Sequence, residues 1–518
     1  MKRISINTLI IFATLFGAMF AFSNAFIDSK NTPKHICAIS GILFFLLYNI
    51  IYRHFKKNYI YNINNIAYVI AFTATCQAIY GIMQYYEICE SHGIFNITGS
   101  FENPAGFASC IAVSFPFSLY ILDIHKNKYY LWSSPLVIIT ATILSQSRSG
   151  ILCISMISVI WILQKTELKF KWKLSITLLV TAIIIGCLYY AGRNSADGRI
   201  FIWRRTIEMI KEKPLFGYGL CGFKGNYMNF QANYFKSVPQ SKHCMIADNV
   251  HHPFNEYLNL VSSFGLFGLT LLITFVVFVL ICYIKNHSLI GKYALLSCIS
   301  TAIFAFFSYP FMYAYVWLTL FLSIYIIIEL HICKEKMHIP FIHKRYITVL
   351  SIACIIPFIK MHWENIQNEL KWKCAYTTYC KGNRDEAINA YKYLFKRTNN
   401  RYIIYNYAAI LYKEHQYDES LIIARSCKKQ WADYDIEILI GEILNKQDKH
   451  EAALQHFNNA ANMCPAKFIP LLRMQRMYKK NGDTIMARSI AKKIIEKPVK
   501  INSDKIDKIK ELMANELK

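Results

Sequence analysis

Eleven long apolar runs constrain this chain more than any other feature of its sequence. Each is long enough, or nearly so, to cross about 30 Å of hydrocarbon as a helix. The runs occupy residues 4–27, 36–52, 60–86, 105–122, 129–147, 150–164, 174–191, 257–284, 293–309, 310–330 and 346–360. We predict an all-α fold in which residues 1–360 form a polytopic membrane domain of about eleven spans, the first being a retained helix rather than a signal peptide.

The charged residues divide the chain into two parts. Only 17% of the 518 residues are charged and 54% are hydrophobic, whereas a soluble domain has about 25% charged residues. Residues 361–518 nevertheless hold 28 Lys and Arg and 19 Asp and Glu, which is ordinary for a soluble domain. The sequence therefore predicts a second domain over residues 361–518.

Basic residues between the apolar runs predict the orientation in the membrane. With the N-terminus inside, the short outer loops hold three basic residues, which are Lys30, Lys34 and Arg148. The inner loops hold 17: Lys2, Arg3, Arg53, Lys56, Lys57, Lys126, Lys128, Lys165, Lys169, Lys171, Lys173, Lys285, Lys292, Lys334, Lys336, Lys344 and Arg345. The positive-inside rule then places the N-terminus in the cytoplasm, and the outer loop 192–256 and residues 361–518 outside the cytoplasmic membrane. The net charge of +26 is assigned to this bias and to anionic lipids, not to nucleic acid.

A repeat of 32–33 residues appears in the C-terminal part. The stretch G-N-R-D-E-A at 382–387 is echoed at 416–420, 449–453 and 481–484, and Glu386, Glu419 and Glu451 are 33 and 32 residues apart. This resembles tetratricopeptide repeats, whose period is 34. The resemblance implies an α-helical solenoid with a concave surface for a protein partner or acceptor. The alternative is that the repeats merely brace the membrane domain.

Three polar stretches fall on the predicted outer side. The first is G-S-F-E-N-P-A-G at 99–106, and the second is the short turn S-Q-S-R-S-G at 145–150. The third runs from 198 to 268 and contains G-R-I-F-I-W-R, K-P-L-F-G-Y-G, H-H-P-F-N-E-Y-L and F-G-L-F-G in that order. The spans themselves carry almost no ionisable residues, which disfavours an ion-coupled transporter.

In this order, the stretches resemble those of the O-antigen ligase and polymerase superfamily, which includes bacterial protein O-oligosaccharyltransferases. The resemblance covers about residues 95–270 and departs at Phe254, where the family often has histidine directly before asparagine. It implies glycan transfer from a polyprenyl-diphosphate carrier to an acceptor hydroxyl on the outer face, without nucleotide, metal or other cofactor. The outer loops also lack a paired-carboxylate motif, which is consistent with a site without metal.

Candidate site residues follow from the chemistry of that transfer. Arg148 and Arg199 are expected to hold the diphosphate, because guanidinium groups stay charged and present several donors. His252, or else His251, is expected to orient or deprotonate the acceptor, with Asn255 or Asp248 fixing the tautomer of the ring.

Further substrate contacts are expected from Arg204, Trp203 and Asn103. Helix 199–212 is expected to lie at the membrane interface through Ile200, Trp203, Ile207 and Ile210. Asn103 is equally suited to cap a helix. Cys221 and Cys244 share one loop and would be able to form a disulfide in an oxidising space.

Two other functions stay open from the sequence. One is a flippase or transporter of lipid-linked glycans, and the other is a non-enzymatic membrane scaffold that displays the repeats. Within the transferase hypothesis, the acceptor is another glycan, a lipid A-core sugar or a protein hydroxyl. The repeats tilt this choice slightly toward a protein partner.

Overall fold

The computed structural model describes residues 5–55, 63–125, 128–335 and 341–518. These ranges contain 21 α-helices, two 3-10 helices at Tyr129–Trp132 and Pro310–Met312, and no β-strand. The predicted all-α class is confirmed. Some basic residues used for the orientation lie outside the described residues: Lys2, Arg3, Lys56, Lys57, Lys126 and Lys336.

The helices divide between two compact units, which are described separately. Unit 1 comprises Met1–Ala191 and Leu271–Lys373, and unit 2 comprises Gly192–Thr270 and Cys374–Lys518. The sequence grouped the outer loop 192–256 with the membrane domain and began the second domain at residue 361. The packing instead groups that loop with the C-terminal helices.

Unit 1 contains the apolar helices. Those complete within it are α1 Ile6–Phe20, α2 Asn31–Phe55, α3 Asn64–Tyr85, α4 Pro104–Ile124, α5 Ser133–Leu144, α6 Arg148–Gln164, α7 Phe170–Ala191, α11 Leu289–Phe307 and α12 Ala314–Glu335. Two further helices, α10 Glu256–Lys285 and α13 Phe341–Cys380, extend from one unit into the other. Seven of these helices (α2, α3, α4, α7, α10, α11 and α12) are long and apolar enough to cross a membrane, and three apolar segments are shorter, at Ile6–Phe20, Tyr129–Leu144 and Arg148–Gln164. The eleventh expected span, 346–360, lies within the 40-residue α13.

Helix α4 is the centre of unit 1. Its side chains are buried from Gly106 to Leu122, and it packs against α3, α6 and α11. Pro116 has no N–H, so the carbonyl of Ala112 loses its helical donor. Ser300 on α11 donates to that carbonyl at 2.9 Å, which restores the lost hydrogen bond.

Unit 2 contains a helical repeat. Its helices are α8 Arg193–Glu212, α9 Gly222–Ser237, α14 Arg384–Phe395, α15 Arg401–Lys413, α16 Tyr417–Gln430, α17 Tyr434–Lys446, α18 His450–Met463, α19 Ile469–Lys480, α20 Thr484–Glu496 and α21 Asp504–Leu517. A residue with positive φ stands in each of four successive helix–helix turns, at Gly382, His415, Asp448 and Gly482.

The repeat period predicted from the sequence is confirmed by these turns, which are 33, 33 and 34 residues apart (415 − 382, 448 − 415 and 482 − 448). A small buried residue follows each of them: Ala387, Ser420, Ala453 and Ala487. Small side chains at these positions let the two helices of a pair approach closely. The positive φ thus accounts for the repeated turn, and the close packing of the two helices accounts for the alanine or serine that follows it.

Candidate functional site

The first polar stretch forms the start of α4 in unit 1. Asn103 caps this helix, since its Oδ1 accepts from the backbone N–H of Gly106 at 2.9 Å and from the Tyr313 hydroxyl at 3.0 Å. A Cβ on Gly106 would lie 2.6 Å from the Tyr313 ring, so only glycine fits there. The capping alternative for Asn103 is therefore what the structure contains, and its contact with substrate stays a prediction.

The second stretch forms the turn before α6, also in unit 1. Ser147 caps α6 by accepting from Gly150 N–H at 3.4 Å, and Gln146 adopts a positive φ. Gly150 packs against Ala108 of α4, where a Cβ would come within 2.8 Å of the alanine methyl. Arg148 is the first residue of α6 and is half-buried. The serine and the glycine of this motif thus build the turn that presents Arg148.

The third stretch interlocks with a break in α10, within unit 2. Helix α10 is interrupted at Gly265, whose φ is +61°. Backbone N–H groups of Tyr218 and Gly219 donate to Ser262 and Ser263, and those of Leu266 and Phe267 donate back to Pro214 and Leu215. The P-L-F-G-Y-G and F-G-L-F-G motifs are therefore two halves of one backbone clamp.

Glycine is required on both sides of that clamp. A Cβ on Gly217 would lie 2.5 Å from the carbonyl carbon of Ser263, and φ at Gly217 is +65°. A Cβ on Gly265 would clash with the carbonyl of Leu215. These glycines serve close backbone packing, which agrees with the absence of the lysine and hydroxyl that a phosphate-binding loop requires.

The histidine segment, residues 251–255, is held by α8. The Trp203 indole N–H donates to the Pro253 carbonyl at 2.9 Å, and the Arg199 guanidinium lies 5.4 Å from the centre of the Phe254 ring. Phe254, the residue that departs from the family pattern, has a φ of +53°. Unit 2 therefore brings the candidate residues Arg199 and Trp203 to the segment that carries the candidate histidines.

Asn255 and Asp248, expected to orient a histidine, have other contacts. Asn255 is 4% exposed and caps α10, its Oδ1 accepting from Leu258 N–H at 2.9 Å. Asp248 forms an ion pair with Lys500 at 3.1 Å. Both side chains thus stabilise the ends of the histidine segment.

A carboxylate that no sequence motif indicates lies beside His251. Asp433 precedes α17 in the repeats, is 1% exposed, and has its Oδ2 3.8 Å from His251 Nδ1. It also accepts from Asn249 Nδ2 at 2.9 Å and caps α17 through Asp435 N–H at 2.8 Å. Its position before a helix predicts a cap, but nothing in the sequence indicates that it meets a loop about 180 residues earlier.

Burial controls the protonation of both histidines. Burial lowers the pKa of His252 to about 3, helped by the charges of Lys224, His251 and Arg401. The pKa of His251 is also lowered by burial, and Asp433 opposes that shift. Both imidazoles are therefore neutral at pH 7, the form that is able to accept a proton.

The remaining candidate residues on α8 point to its other faces. Arg204 is exposed, and the buried side of α8 consists of Phe201, Ile202, Thr206 and Met209. Ile200 and Ile207 of the expected interfacial face are exposed. The disulfide considered between Cys221 and Cys244 is not formed, since both are free thiols.

The outer loop shares a core with the repeats inside unit 2. The loop supplies Ile202, Phe223, Tyr227, Met228 and Ala232, and the repeats supply Ala432, Tyr434, Ala460, Met463 and Cys464. Buried Gln231 donates to the carbonyls of Met463 at 2.6 Å and Asp248 at 2.9 Å. The loop that carries the histidines is thus fixed to the repeats by apolar packing and by buried hydrogen bonds.

Comparison with known families agrees with the motifs. Residues 135–273 match the family model described as O-antigen ligase. This interval contains the turn with Arg148, helix α8, the backbone clamp and the histidine segment. The resemblance inferred from the sequence is confirmed over these residues, and it supports a ligase or glycosyltransferase type of function at a membrane.

Comparison with individual proteins adds little. No curated protein matches the chain. Among solved structures, the crystal structure of the yeast Tom70 matches at 10% identity, covering 92% of this chain and 96% of that chain, with a TM-score of 0.20. At that TM-score the likeness carries no argument about fold or function.

Proposed function

We propose that this protein transfers a glycan from a polyprenyl-diphosphate carrier to an acceptor hydroxyl on the outer face of the bacterial inner membrane. The observation that carries the proposal is the histidine segment, held by Arg199 and Trp203 inside the interval that matches O-antigen ligases. A neutral histidine in the segment that Arg199 contacts supplies what such a transfer requires, which is a proton acceptor near a counter-charge for the leaving group.

The proposed reaction is a displacement at the anomeric carbon. The acceptor oxygen attacks C1 of the sugar, and the bond between C1 and the diphosphate oxygen breaks. His252 takes the proton of the acceptor hydroxyl, and the electron pair leaves with the diphosphate. Arg199 and Arg148 neutralise the charge that develops on the diphosphate. Arg148 enters this proposal through its motif, its place at the first turn of α6 and its charge.

The protonation of His252 fits a base that works only when the donor is bound. A histidine with a pKa of about 3 is neutral but weakly basic at pH 7. Negative charge on a bound diphosphate would offset the neighbouring cations and raise that pKa toward the working pH. We therefore propose that donor binding activates His252.

The repeats are proposed to contribute to acceptor recognition. They pack against the loop that carries His252, and helical repeats present extended surfaces to peptides and proteins. This favours a protein hydroxyl as the acceptor over a lipid A-core sugar or the end of another lipid-linked glycan.

The test is complementation of a strain deleted for this gene, with profiles of both lipid-linked glycans and glycoproteins. We expect carrier-linked glycan to accumulate in the deletion strain and in strains with Arg148→Ala or His252→Ala, while wild type restores transfer. The glycan-bearing species that disappears identifies the acceptor. Normal glycan output from both alanine variants, each inserted at wild-type level, would contradict the proposal. Movement of lipid-linked glycan across vesicles without any acceptor would instead favour a flippase.

A further inference from the structure

A cluster of basic side chains lies where the outer loop meets the repeats. It comprises Lys224 near the start of α9, His251 and His252 in the histidine segment, and Arg401 at the start of α15. Two of these groups flank Trp431: the Arg401 guanidinium lies 5.4 Å and the His251 ring 5.8 Å from the Trp431 ring. The next residue, Ala432, donates its N–H to the Lys224 carbonyl at 3.0 Å. Loop and repeats thus jointly assemble these four basic groups.

The cluster has more positive charge than the neighbouring carboxylates offset. Asp433 is already engaged by Asn249 and by the start of α17, and the attraction of Glu256 on Lys224 is smaller than the repulsion from Arg401. The Arg401 Nε is buried and makes no hydrogen bond within the described part of the chain. Burial and the charge of Arg401 lower the pKa of Lys224 to about 8.

Cations that repel one another in a buried place reduce stability unless a ligand compensates them. Two other partly buried cations of unit 2 are paired with carboxylates, Lys428 with Glu437 at 2.6 Å and Arg473 with Glu442 at 2.6 Å. Lys224 differs from these pairs, because the largest charge effect on it comes from another cation, Arg401. Both cations also act on His252, the candidate base. That arrangement suits an anionic ligand better than a structural role.

We propose that Lys224 and Arg401, together with His252, bind a phosphate or diphosphate group. The inference rests on the proposed function, and it adds to it a residue that the repeats contribute to substrate binding. A guanidinium supplies a fork of donors and a lysine a compact charge, the pair of groups that phosphate sites use. The repeats would then complete the donor or headgroup site as well as bind the acceptor.

The first test measures binding apart from transfer. The detergent-solubilised full-length protein is titrated with inorganic pyrophosphate in a calorimeter. We expect wild type to bind, and Lys224→Met and Arg401→Met each to weaken binding at least about tenfold, the loss of one charge-assisted contact. Lys429→Met, an exposed lysine on α16, is the charge-matched control and should bind like wild type. Arg401→Lys should keep part of the affinity.

Two results would overturn the inference. One is an affinity of Lys224→Met and Arg401→Met equal to that of wild type, or no binding by wild type. The other is a fall of several degrees in the unfolding midpoint of Lys224→Met without ligand, because that would make the lysine a structural group. We expect that midpoint to be unchanged or raised, since the substitution removes an uncompensated charge.

The pH dependence gives an independent readout. The groups that face Lys224 and the histidines are Arg401, Lys467, Asp433, Glu256 and Cys221. Because Lys224 loses its proton above about pH 8, the affinity advantage of wild type over Lys224→Met should shrink between pH 7 and pH 9.5. The comparison at equal pH cancels the titration of pyrophosphate itself. A constant ratio would contradict the role of Lys224.

Competition identifies the source of the phosphate. A long-chain polyprenyl diphosphate that displaces pyrophosphate well below the concentration needed for phosphatidylglycerol would identify the donor, and the reverse order a lipid headgroup. Transfer assays separate this inference from the proposed function. If wild type transfers glycan and the Lys224 and Arg401 variants bind and transfer normally, the proposed anion site is rejected and the proposed function is not. If wild type binds pyrophosphate but transfers no glycan, the proposed function is rejected and the anion site is not.

Discussion

Units 1 and 2 use their family motifs differently. In unit 1 the motif residues Asn103, Gly106, Ser147 and Gly150 cap helices or admit a neighbouring side chain, and Arg148 is the basic side chain of these motifs. In unit 2 the motifs hold a loop whose His251 lies beside Trp431 and Asp433 of the repeats, and Trp431 also contacts Arg401. The difference is that most of the titratable candidate residues lie in unit 2, whereas the motif residues of unit 1 mainly shape the starts of two helices.

The largest expected effect separates the two histidines of unit 2. His252→Ala should lower the transfer rate by about 100-fold or more, the usual contribution of a general base. His251→Ala should cost about tenfold, because we expect it to act through its neighbour. His287→Ala, an exposed histidine after α10, is the control. Rates are measured with purified protein and lipid-linked donor, and equal losses for His251 and His252 would reject His252 as the base.

A second prediction tests the backbone clamp of unit 2. Gly217→Ala should destabilise the protein by about 2–4 kcal/mol. The cost has two causes: alanine disfavours the left-handed backbone at this position, and its Cβ would clash with the backbone of α10. Gly219→Ala is the matched control, since φ there is +85° but no atom lies within 4 Å of an added Cβ. It should cost about 1 kcal/mol. Equal unfolding midpoints for the two variants would contradict the close contact between Gly217 and the backbone of Ser263.

A third prediction concerns the buried ion pair of the repeats. Glu437 is 1% exposed and contacts Lys428 at 2.6 Å and His456 at 2.5 Å. Burial alone would raise the pKa of Glu437, but these two partners outweigh it and leave the pKa lowered. Glu437→Gln should therefore cost about 3 kcal/mol at pH 7. Glu442→Gln, at a more exposed pair with Arg473, should cost about 1 kcal/mol or less.

The sign of the pH effect follows from the lowered pKa. In the unfolded state the Glu437 side chain has a pKa of about 4.3. At pH values near this, the folded state still keeps Glu437 ionised, because its pKa is lowered there. The stabilisation is present above that value and is lost as the pH falls through the folded pKa. Unfolding midpoints of wild type and Glu437→Gln should thus converge when the pH is lowered from 7 toward 3. A gap that does not change with pH would exclude ionisation as its cause.

The smallest expected effect lies in unit 1. Ser300→Ala removes the hydroxyl that donates to the Ala112 carbonyl freed by Pro116, and should cost about 1 kcal/mol. Ser118→Ala removes a hydroxyl that donates within its own helix, to Phe115 O, and should cost less. Reversal of that order in thermal unfolding would contradict the compensation of Pro116 by α11.

Local patterns predicted much of this molecule. The apolar runs correspond to helices of unit 1, and the echoed turns mark the repeats, because hydrophobicity and turn chemistry are read over short stretches. The motifs also identified the interval that matches O-antigen ligases. Short motifs report local geometry well, since the positive φ of Gly217 and of Gly265 belongs to a turn and to a helix break within the motifs themselves.

Long-range pairing is what the sequence did not predict. The grouping of the outer loop with the repeats depends on contacts such as Gln231 with Met463 and Asn249 with Asp433. From the sequence alone, Gln231 is an ordinary residue of a helix and Asp433 is a helix cap. The sequence therefore does not mark Asp433, Trp431 and Arg401, because each of them gains its neighbours only through the packing of unit 2.

The most direct test of the account removes the repeats. A chain ending at Lys373, the boundary between the units, should still insert in the membrane, but its outer loop should become sensitive to protease and its transfer should be lost. The reason is that Phe223, Tyr227 and Met228 lose the core that they share with the repeats. A truncated chain with a protease-resistant loop and wild-type transfer would contradict the central claim that loop and repeats form one functional unit.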